Sequence, residues 1–238
     1  MQIGADYAKK LHDKYRQKVG GEQVALEFSI SSLQSLLHSK KPKYILELGG
    51  GLGTLTELIL TQSEAKLDVV ENNEWCISQL LSNMSQFRDF NLIDDYAKLR
   101  TDHDADFLVV DVNNGIYPIS NLVKNSRNIH MIFIEGHHLA HRLNISRALL
   151  QTKKNQKLYD LRPHKGAKGC AFFEVSTDDT FLSLKSKWTF LFNYLPLYFS
   201  LSLIKVRSRL GKLLDSSGHI PGVKALRKTW FGKIPWNF

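Results

Sequence analysis

The stretch Tyr44-Ile-Leu-Glu-Leu-Gly-Gly-Gly-Leu-Gly-Thr-Leu-Thr56 decides the fold of this 238-residue chain. It begins with a short apolar run of strand-forming residues, 44–48, and a turn sequence follows directly, so the run predicts a buried strand. A glycine loop comes next, and apolar residues at helical spacing resume after it. This order places backbone N–H groups and the positive end of a helix against a ligand.

The acid and the glycines of this stretch have a specific spacing. Glu47, Gly49, Gly51 and Gly53 form the pattern E-x-G-x-G-x-G, whereas the dinucleotide fingerprint needs a further glycine or alanine near Thr54. The pattern resembles motif I of the class I S-adenosyl-L-methionine (SAM) dependent methyltransferases. In that family the acid and the glycine turn hold the amino-acid end of SAM. A cationic ammonium favours a carboxylate there, whereas a pyrophosphate would be repelled.

The composition indicates one α/β domain with an appendage. A hydrophobic content of 43% and a charged content of 23% exclude a disordered chain. The two cysteines, Cys76 and Cys170, have neither zinc-site spacing nor a disulfide framework, which predicts buried thiols in a reducing compartment. Residues 1–16 lack the apolar core of a signal peptide. We therefore expect a cytoplasmic protein.

Three later strand ends carry acids at positions that the resemblance makes informative. Glu71 ends the predicted strand 66–71, about 20 residues beyond the glycine loop, where the family places a carboxylate on the ribose hydroxyls. Asn73, two residues later, is the expected N-cap of the next helix. Asp95 ends the strand 90–95, where the family commonly contacts the adenine amino group. Asp111 ends the strand 107–112, where family members often place a residue facing the acceptor substrate.

The remaining elements complete the expected fold. A strand at 130–136 and a terminal hairpin, 157–161 with 170–175, bring the count to seven strands alternating with helices. The resemblance implies a mostly parallel α/β sheet with helices on both faces and an antiparallel last strand. We expect 1–40 to form helices covering the SAM pocket, the second of them over 24–37, and 41–180 to form the methyltransferase domain.

Candidate catalytic groups follow the fourth and fifth strands. If the acceptor is a hydroxyl or an amine, a base near the carboxyl ends of the strands would take its proton. Asp111, His137 and His138 are the candidates, and histidine is the more natural base because its pKa lies near neutrality. The two histidines also suit solvated or helix-capping positions, so both interpretations stay open.

Two related families offer alternatives. In a metal-dependent variant that resembles catechol O-methyltransferase, Asp111 and Glu135 would hold Mg²⁺, but this chain lacks that family's Asp-Asn pair after the fifth strand. No metal is predicted. The glycine stretch also resembles motif I of the rRNA adenine dimethyltransferases, whose Asn-Leu-Pro-Tyr-type motif grips a flipped adenine. The segment here, 113–118, has those residue types in the wrong order.

The positive charge of the chain is concentrated at its C-terminus. Residues 181–238 contain ten basic residues and one acid, whereas 1–180 contain 22 of each, so the net charge of +9 belongs to this extension. Its segment 188–214 has an apolar stripe at helical spacing with basic residues off the stripe, which predicts a basic amphipathic helix in contact with the inner membrane face. Packing on the domain or on a second copy in a homodimer, and binding of RNA phosphates, are the alternatives.

The sequence therefore predicts a SAM-dependent methyltransferase that acts on a hydroxyl of a small, glycan or lipid-linked acceptor. An RNA adenine methyltransferase is the second hypothesis. A SAM-fold binding or scaffold protein without turnover is the third, because the resemblance covers the donor site over about residues 40–177 and leaves the acceptor side undefined.

Overall fold

The computed structural model describes residues 2–112, 119–136, 139–152, 155–164 and 168–176. These residues include seven strands, which are β1 (Tyr44–Leu48), β2 (Lys66–Val70), β3 (Asn91–Ile93), β4 (Phe107–Val110), β5 (Met131–Ile134), β6 (Asn155–Leu161) and β7 (Cys170–Ser176). They form one sheet in the order β3-β2-β1-β4-β5-β7-β6. Neighbours among β1 to β5 pair in parallel, and β7 is antiparallel to β5 and to β6. The predicted mostly parallel sheet with an antiparallel last strand is confirmed.

Helices cover both faces of the sheet. The described residues include α1 (Gln2–Arg16), α2 (Glu27–Lys40), α3 (Thr54–Gln62), α4 (Glu74–Met84), α5 (Ile119–Asn125) and α6 (Leu139–Gln151). Apolar residues of α1 to α4 pack in one core cluster on what we call the first face, and those of α5 and α6 pack on the second face. Because both faces are covered, β1, β4 and β5 are almost continuously apolar.

Alternation along the strands assigns side chains to these two faces. On β4, Phe107 and Val109 belong to the first face, and Leu108 and Val110 belong to the second. All four side chains are 0% exposed. Burying an aromatic or branched side chain of this kind stabilises a fold by about 1.5–3 kcal/mol.

Several predicted boundaries were wrong by a few residues. The second helix begins at Glu27 instead of residue 24, because Leu26 has an extended backbone with ψ 144°. The third strand ends at Ile93, and the Asp95 side chain accepts a hydrogen bond from the Ala97 N–H at 2.8 Å. This bond closes a short turn in place of the last strand residues. Helix α5 was not predicted.

The predicted cap of α4 and one of the two cysteine predictions are confirmed. The Asn73 side chain accepts from the Cys76 N–H at 3.0 Å, as expected of an N-cap. Both cysteines are free. Cys170 is buried, and burial raises its pKa to about 11. Cys76 is only half-buried, because it lies in the first turn of α4, away from the core residues near that helix's end.

The predicted C-terminal extension, 181–238, lies outside the described residues. Within the part of the chain that the structure does describe, no helix is long and apolar enough to cross a bilayer. The domain boundary at 180 and the interpretations of 188–214 therefore stay predictions.

Candidate functional site

The glycine loop between β1 and α3 depends on three left-handed residues. Gly49, Gly51 and Gly53 have φ values of 90°, 52° and 97°. A side-chain carbon on Gly49 would lie 2.0 Å from the backbone oxygen of Asp111, so only glycine permits this approach to the end of β4. A side-chain carbon on Gly51 would meet no atom within 4 Å. The loop is therefore packed tightly at Gly49 and open at Gly51.

Glu71 holds the open part of the loop. One carboxylate oxygen accepts from the Gly51 N–H at 2.9 Å, and the other accepts from the Asn72 and Asn73 N–H groups, both at 2.9 Å. The residue is only 8% exposed. The end of β2 thus fixes the loop that follows β1 through a charge-assisted hydrogen bond. Glu71, which the sequence predicts as a ribose ligand, thus also contacts the glycine loop directly, a contact that was not predicted.

Glu47 lies beneath the loop with no exposure to solvent. Its Oε2 accepts from the Thr56 hydroxyl of α3 at 2.8 Å, and its Oε1 has no hydrogen-bond partner. Burial raises the pKa of Glu47 well above its ordinary value, and the charges of Asp111 and Glu71 raise it further. A buried carboxylate in this state is costly to the fold, which is typical of a group retained for a ligand.

Strand register brings Glu71, Gly49, Asp111 and Glu135 into one row. Each residue directly follows its strand, and the preceding residues of β2, β1, β4 and β5 are register partners. Backbone hydrogen bonds of 2.9 Å extend the pairing by one residue at Gly49, Asp111 and Glu135. Strand alternation places the three carboxylates of this row on the first face, as it does Glu47. We call Glu47, Glu71, Asp111 and Glu135 the carboxylate row.

The charges of the row act on one another. Burial raises the pKa of Asp111 well above its usual value, with Glu135 and then Glu71 adding to the effect. Burial also raises the pKa of Glu135, although the Leu26 N–H and the charge of Lys168 oppose that rise. Asp111 is half-buried, whereas Glu135 is 8% exposed. Asp111 is therefore the member of this pair more accessible to an acceptor.

The N-terminal segment reaches the row at Glu135. The Leu26 N–H donates to Glu135 Oε1 at 3.1 Å across a sequence separation of 109 residues. The bond is possible because α2 begins only after Leu26, which frees that N–H from the helix. Together with the packing of α1 and α2 on the first face, this contact supports the expectation that 1–40 covers the site.

The other predicted site residues fall into two groups. Asp95 is exposed at the end of β3, and its neighbour Asp94 is engaged by Lys98 at 2.6 Å, which leaves Asp95 the freer acid. His137 and His138 lie outside the described residues, as does 113–118. Glu135 was not predicted as a cofactor or catalytic residue. Its sequence signal is the one that Asp111 has, an acid directly after a wholly apolar strand.

No metal site is apparent in the described ranges, where no group of three or more His, Cys, Asp or Glu side chains has metal-binding geometry. The carboxylate row instead spreads across four strands. Adjacent strands of a sheet are about 4.8 Å apart, so the row extends over roughly 14 Å. This arrangement suits an elongated ligand better than an ion.

Comparison with known proteins identifies the fold. No protein-family model and no curated protein sequence matches the chain. Among solved structures, precorrin-6y C5,15-methyltransferase from Geobacter metallireducens is 11% identical with a TM-score of 0.53, covering 66% of this chain and 91% of that chain. The O-methyltransferase TomG from Streptomyces achromogenes, solved in complex with SAM, is 14% identical with a TM-score of 0.51, covering 73% and 89%. This chain has the class I methyltransferase fold.

A third structure agrees, a proposed RNA methyltransferase from Pyrococcus horikoshii. It is 16% identical with a TM-score of 0.50, and the match covers 72% of this chain and 98% of that one. In an open α/β sheet such as the class I methyltransferase fold, ligands bind outside the carboxyl ends of the strands. The carboxylate row lies at this edge, which makes it the candidate binding site.

Proposed function

We propose that this protein is a SAM-dependent methyltransferase. The observation that carries the proposal is the carboxylate row around an open glycine loop at the strand ends of a class I methyltransferase fold. SAM has an ammonium and a sulfonium, and a site rich in carboxylates and open at Gly51 matches both its charge and its need for close backbone approach.

Individual residues fit parts of this ligand. Glu71 Oε2 accepts one N–H and retains acceptor capacity for a ribose hydroxyl. Glu47 Oε1, which has no partner, suits the ammonium end. Asp95 has room for the adenine amino group at the exposed end of β3. These assignments follow the family resemblance residue by residue.

The reaction requires little covalent chemistry from the protein itself. SAM supplies a methyl group on a sulfonium sulfur, which an aligned nucleophile displaces in line. The residues of this chain align the reactants and remove a proton. Asp111 suits the second task because it is more exposed than Glu135 and because its pKa is raised by burial and by Glu135. The acceptor proton would pass to its carboxylate as the new bond to carbon forms.

The proposed acceptor is a hydroxyl of a small, glycan or lipid-linked molecule. The support is the basic and aromatic composition of 181–238, which suits a membrane surface or an anionic headgroup. Incubating the full chain and a truncation after Thr180 with labelled SAM and cell lipid, glycan and RNA fractions would test this. We expect label in lipid or glycan that is lost on truncation. Label in RNA alone would establish the RNA hypothesis, and binding without transfer would establish the binding protein.

Calorimetry tests the donor site directly. We expect the wild-type protein to bind SAM and Glu71→Ala to bind it at least about 30-fold more weakly, because that variant loses both the ribose contact and the support of the Gly51 N–H. Glu64→Ala removes the same charge from an exposed position outside the site and is the matched control. Absence of SAM binding by the wild-type protein would refute the proposed function.

A further inference from the structure

The carboxylate row differs in its surroundings from Glu57, a buried acid of α3 that is paired with a lysine. In the described part of the chain, no lysine, arginine or histidine forms a salt bridge with any of its four members. Lys168 acts on Glu135 through its charge, at one end of the row. Glu57, which lies one turn along α3, shows the contrast, because Lys14 approaches it to 2.6 Å.

The interior of the row is therefore electrostatically unbalanced. Glu47 is 0% exposed, has one oxygen with no partner, and faces the charges of Asp111 and Glu71. A single neutral donor, the Thr56 hydroxyl, contacts it. In a site withdrawn from water the local dielectric constant is low, so charges are screened weakly. One added positive charge therefore strongly stabilises carboxylates that repel one another.

We propose that the carboxylate row recognises the net positive charge of the methyl donor, so that the protein binds SAM at least about tenfold more tightly than the neutral product S-adenosyl-L-homocysteine (SAH). This inference rests on the proposed function and deepens it. SAM has one more positive charge than SAH, because transfer of the methyl group turns a sulfonium into a thioether. The rest of the two molecules is the same.

Recognition of a positive charge also changes the protonation of the carboxylate row. The pKa of Glu47 and the pKa of Asp111 are raised by burial and by their acidic neighbours, so each side chain is more readily protonated than an ordinary carboxyl. Among the described residues, the groups that act on them are Glu71 after β2, Thr56 from α3, Tyr15 from α1 and Glu135 after β5. None of these is a cation. A bound positive charge favours the ionised carboxylates and drives protons into solution.

The preference for a positively charged ligand also favours release of the product after methyl transfer. After transfer the site holds a neutral ligand beside carboxylates that repel one another, and protons return to them. Loss of the sulfonium charge therefore weakens the product complex relative to the donor complex, and exchange of SAH for SAM is downhill.

Calorimetry with three ligands tests the inference. We expect SAM and sinefungin, an analogue with an amine-bearing carbon in place of the sulfonium, to bind at least about tenfold more tightly than SAH. SAM affinity should rise as the pH is raised above the ordinary carboxyl range, and titrations in buffers of different ionisation enthalpy should show proton release. Equal or tighter binding of SAH, or sinefungin behaving as SAH does, would overturn the inference and leave SAM binding intact. Binding of none of the three would overturn the proposed function with it.

A variant pair assigns the effect to the row. Glu47→Gln keeps the shape and the Thr56 contact but removes the charge, and it should reduce the ratio of SAM to SAH affinity severalfold and reduce the proton release. Glu64→Gln, with the same charge change on the surface, should leave both unchanged. An unchanged ratio in Glu47→Gln would exclude that residue from charge recognition. If the variant does not fold, the ligand series on the wild-type protein still decides.

Discussion

Glu47 and Asp68 are buried acids on neighbouring strands of one sheet, and they have opposite surroundings. Asp68 is 4% exposed on the second face, where its Oδ2 accepts from the Tyr44 hydroxyl at 2.7 Å and from His103 Nε2 at 3.0 Å. Glu47, on the first face, has one donor and two acidic neighbours. Each acid keeps one oxygen without a partner. What distinguishes them is the number of donors and the sign of the nearby charge.

Asp68 therefore has the partners of a structural acid, whereas Glu47 has the surroundings expected of the ligand-binding acid proposed above. The donors of Asp68 come from β1 and from the segment before β4, so its carboxylate joins parts of the chain that are far apart in sequence. Glu57 belongs to the same class, since Tyr15 and Lys14 both donate to it. Within the described residues, Glu47 has one neutral donor and Asp111 has no salt-bridge partner, so neither has such compensation. A fold retains an uncompensated acid at a cost, and a cationic ligand is the natural compensation.

Removing the structural acid should have the largest effect on stability. We expect Asp68→Ala to lower the free energy of unfolding by about 3 kcal/mol, because it leaves the buried donors of Tyr44 and His103 unpaired. SAM affinity should stay within about twofold. Denaturant unfolding and calorimetry measure the two quantities. Asp102→Ala is the control, since Asp102 is exposed and lies next to His103 in the segment before β4. A large loss of SAM binding in Asp68→Ala would contradict the comparison.

Removing the charge of Glu47 should raise the stability of the ligand-free protein, which is opposite to the effect expected of Asp68→Ala. Glu47→Gln should raise the free energy of unfolding of the ligand-free protein by about 1–2 kcal/mol at pH 7.5, since a neutral amide replaces a buried carboxyl crowded by acids. The melting temperature would report the gain. Thermal stabilisation by added SAM should shrink in the same variant. A destabilised variant would mean that Glu47 serves the fold as Asp68 does.

The pH dependence of stability sharpens this contrast. Carboxyls with a raised pKa bind more protons in the folded state than in the unfolded state, so stability is full at low pH and falls as pH rises above the ordinary carboxyl range. Between pH 5 and pH 8 the ligand-free wild-type protein should lose more stability than Glu47→Gln. Acids with a lowered pKa, such as Glu174, finish titrating below this window. Parallel curves for the two proteins would exclude Glu47 as a source of the slope.

Replacing Gly51, in the open part of the glycine loop, should give the smallest change in stability. Gly51→Ala should cost about 1 kcal/mol, the price of a left-handed alanine, because its side-chain carbon meets no atom. SAM binding should nevertheless fall at least about tenfold, since the methyl group would occupy the space through which the ligand approaches the backbone. Unaltered SAM binding in a folded variant would show that Gly51 does not border the ligand.

The sequence predicted those features whose cause is local. The strand 44–48, the left-handed glycines and the Asn73 cap depend on neighbouring residues, and all are present in the structure. Seven strands and the antiparallel last strand followed from the same periodicities and from the resemblance. The position of Glu71 beside the glycine loop depends on the one helix, one short connection and one strand that lie between them in sequence.

Only the tertiary structure shows which acids lie in the candidate site and which have partners that stabilise the fold. In the sequence, Glu47, Asp68, Asp111 and Glu135 are four acids in or directly after apolar strands. The partners of Asp68 lie 24 and 35 residues away, and the partner of Glu135 lies 109 residues away. No local pattern encodes such contacts, because they arise when strand register and helix packing bring distant segments together. The sequence by itself determined the glycine loop and the acids at the strand ends, which predict a donor site, and only the folded sheet showed which of these acids lack a compensating partner among the described residues.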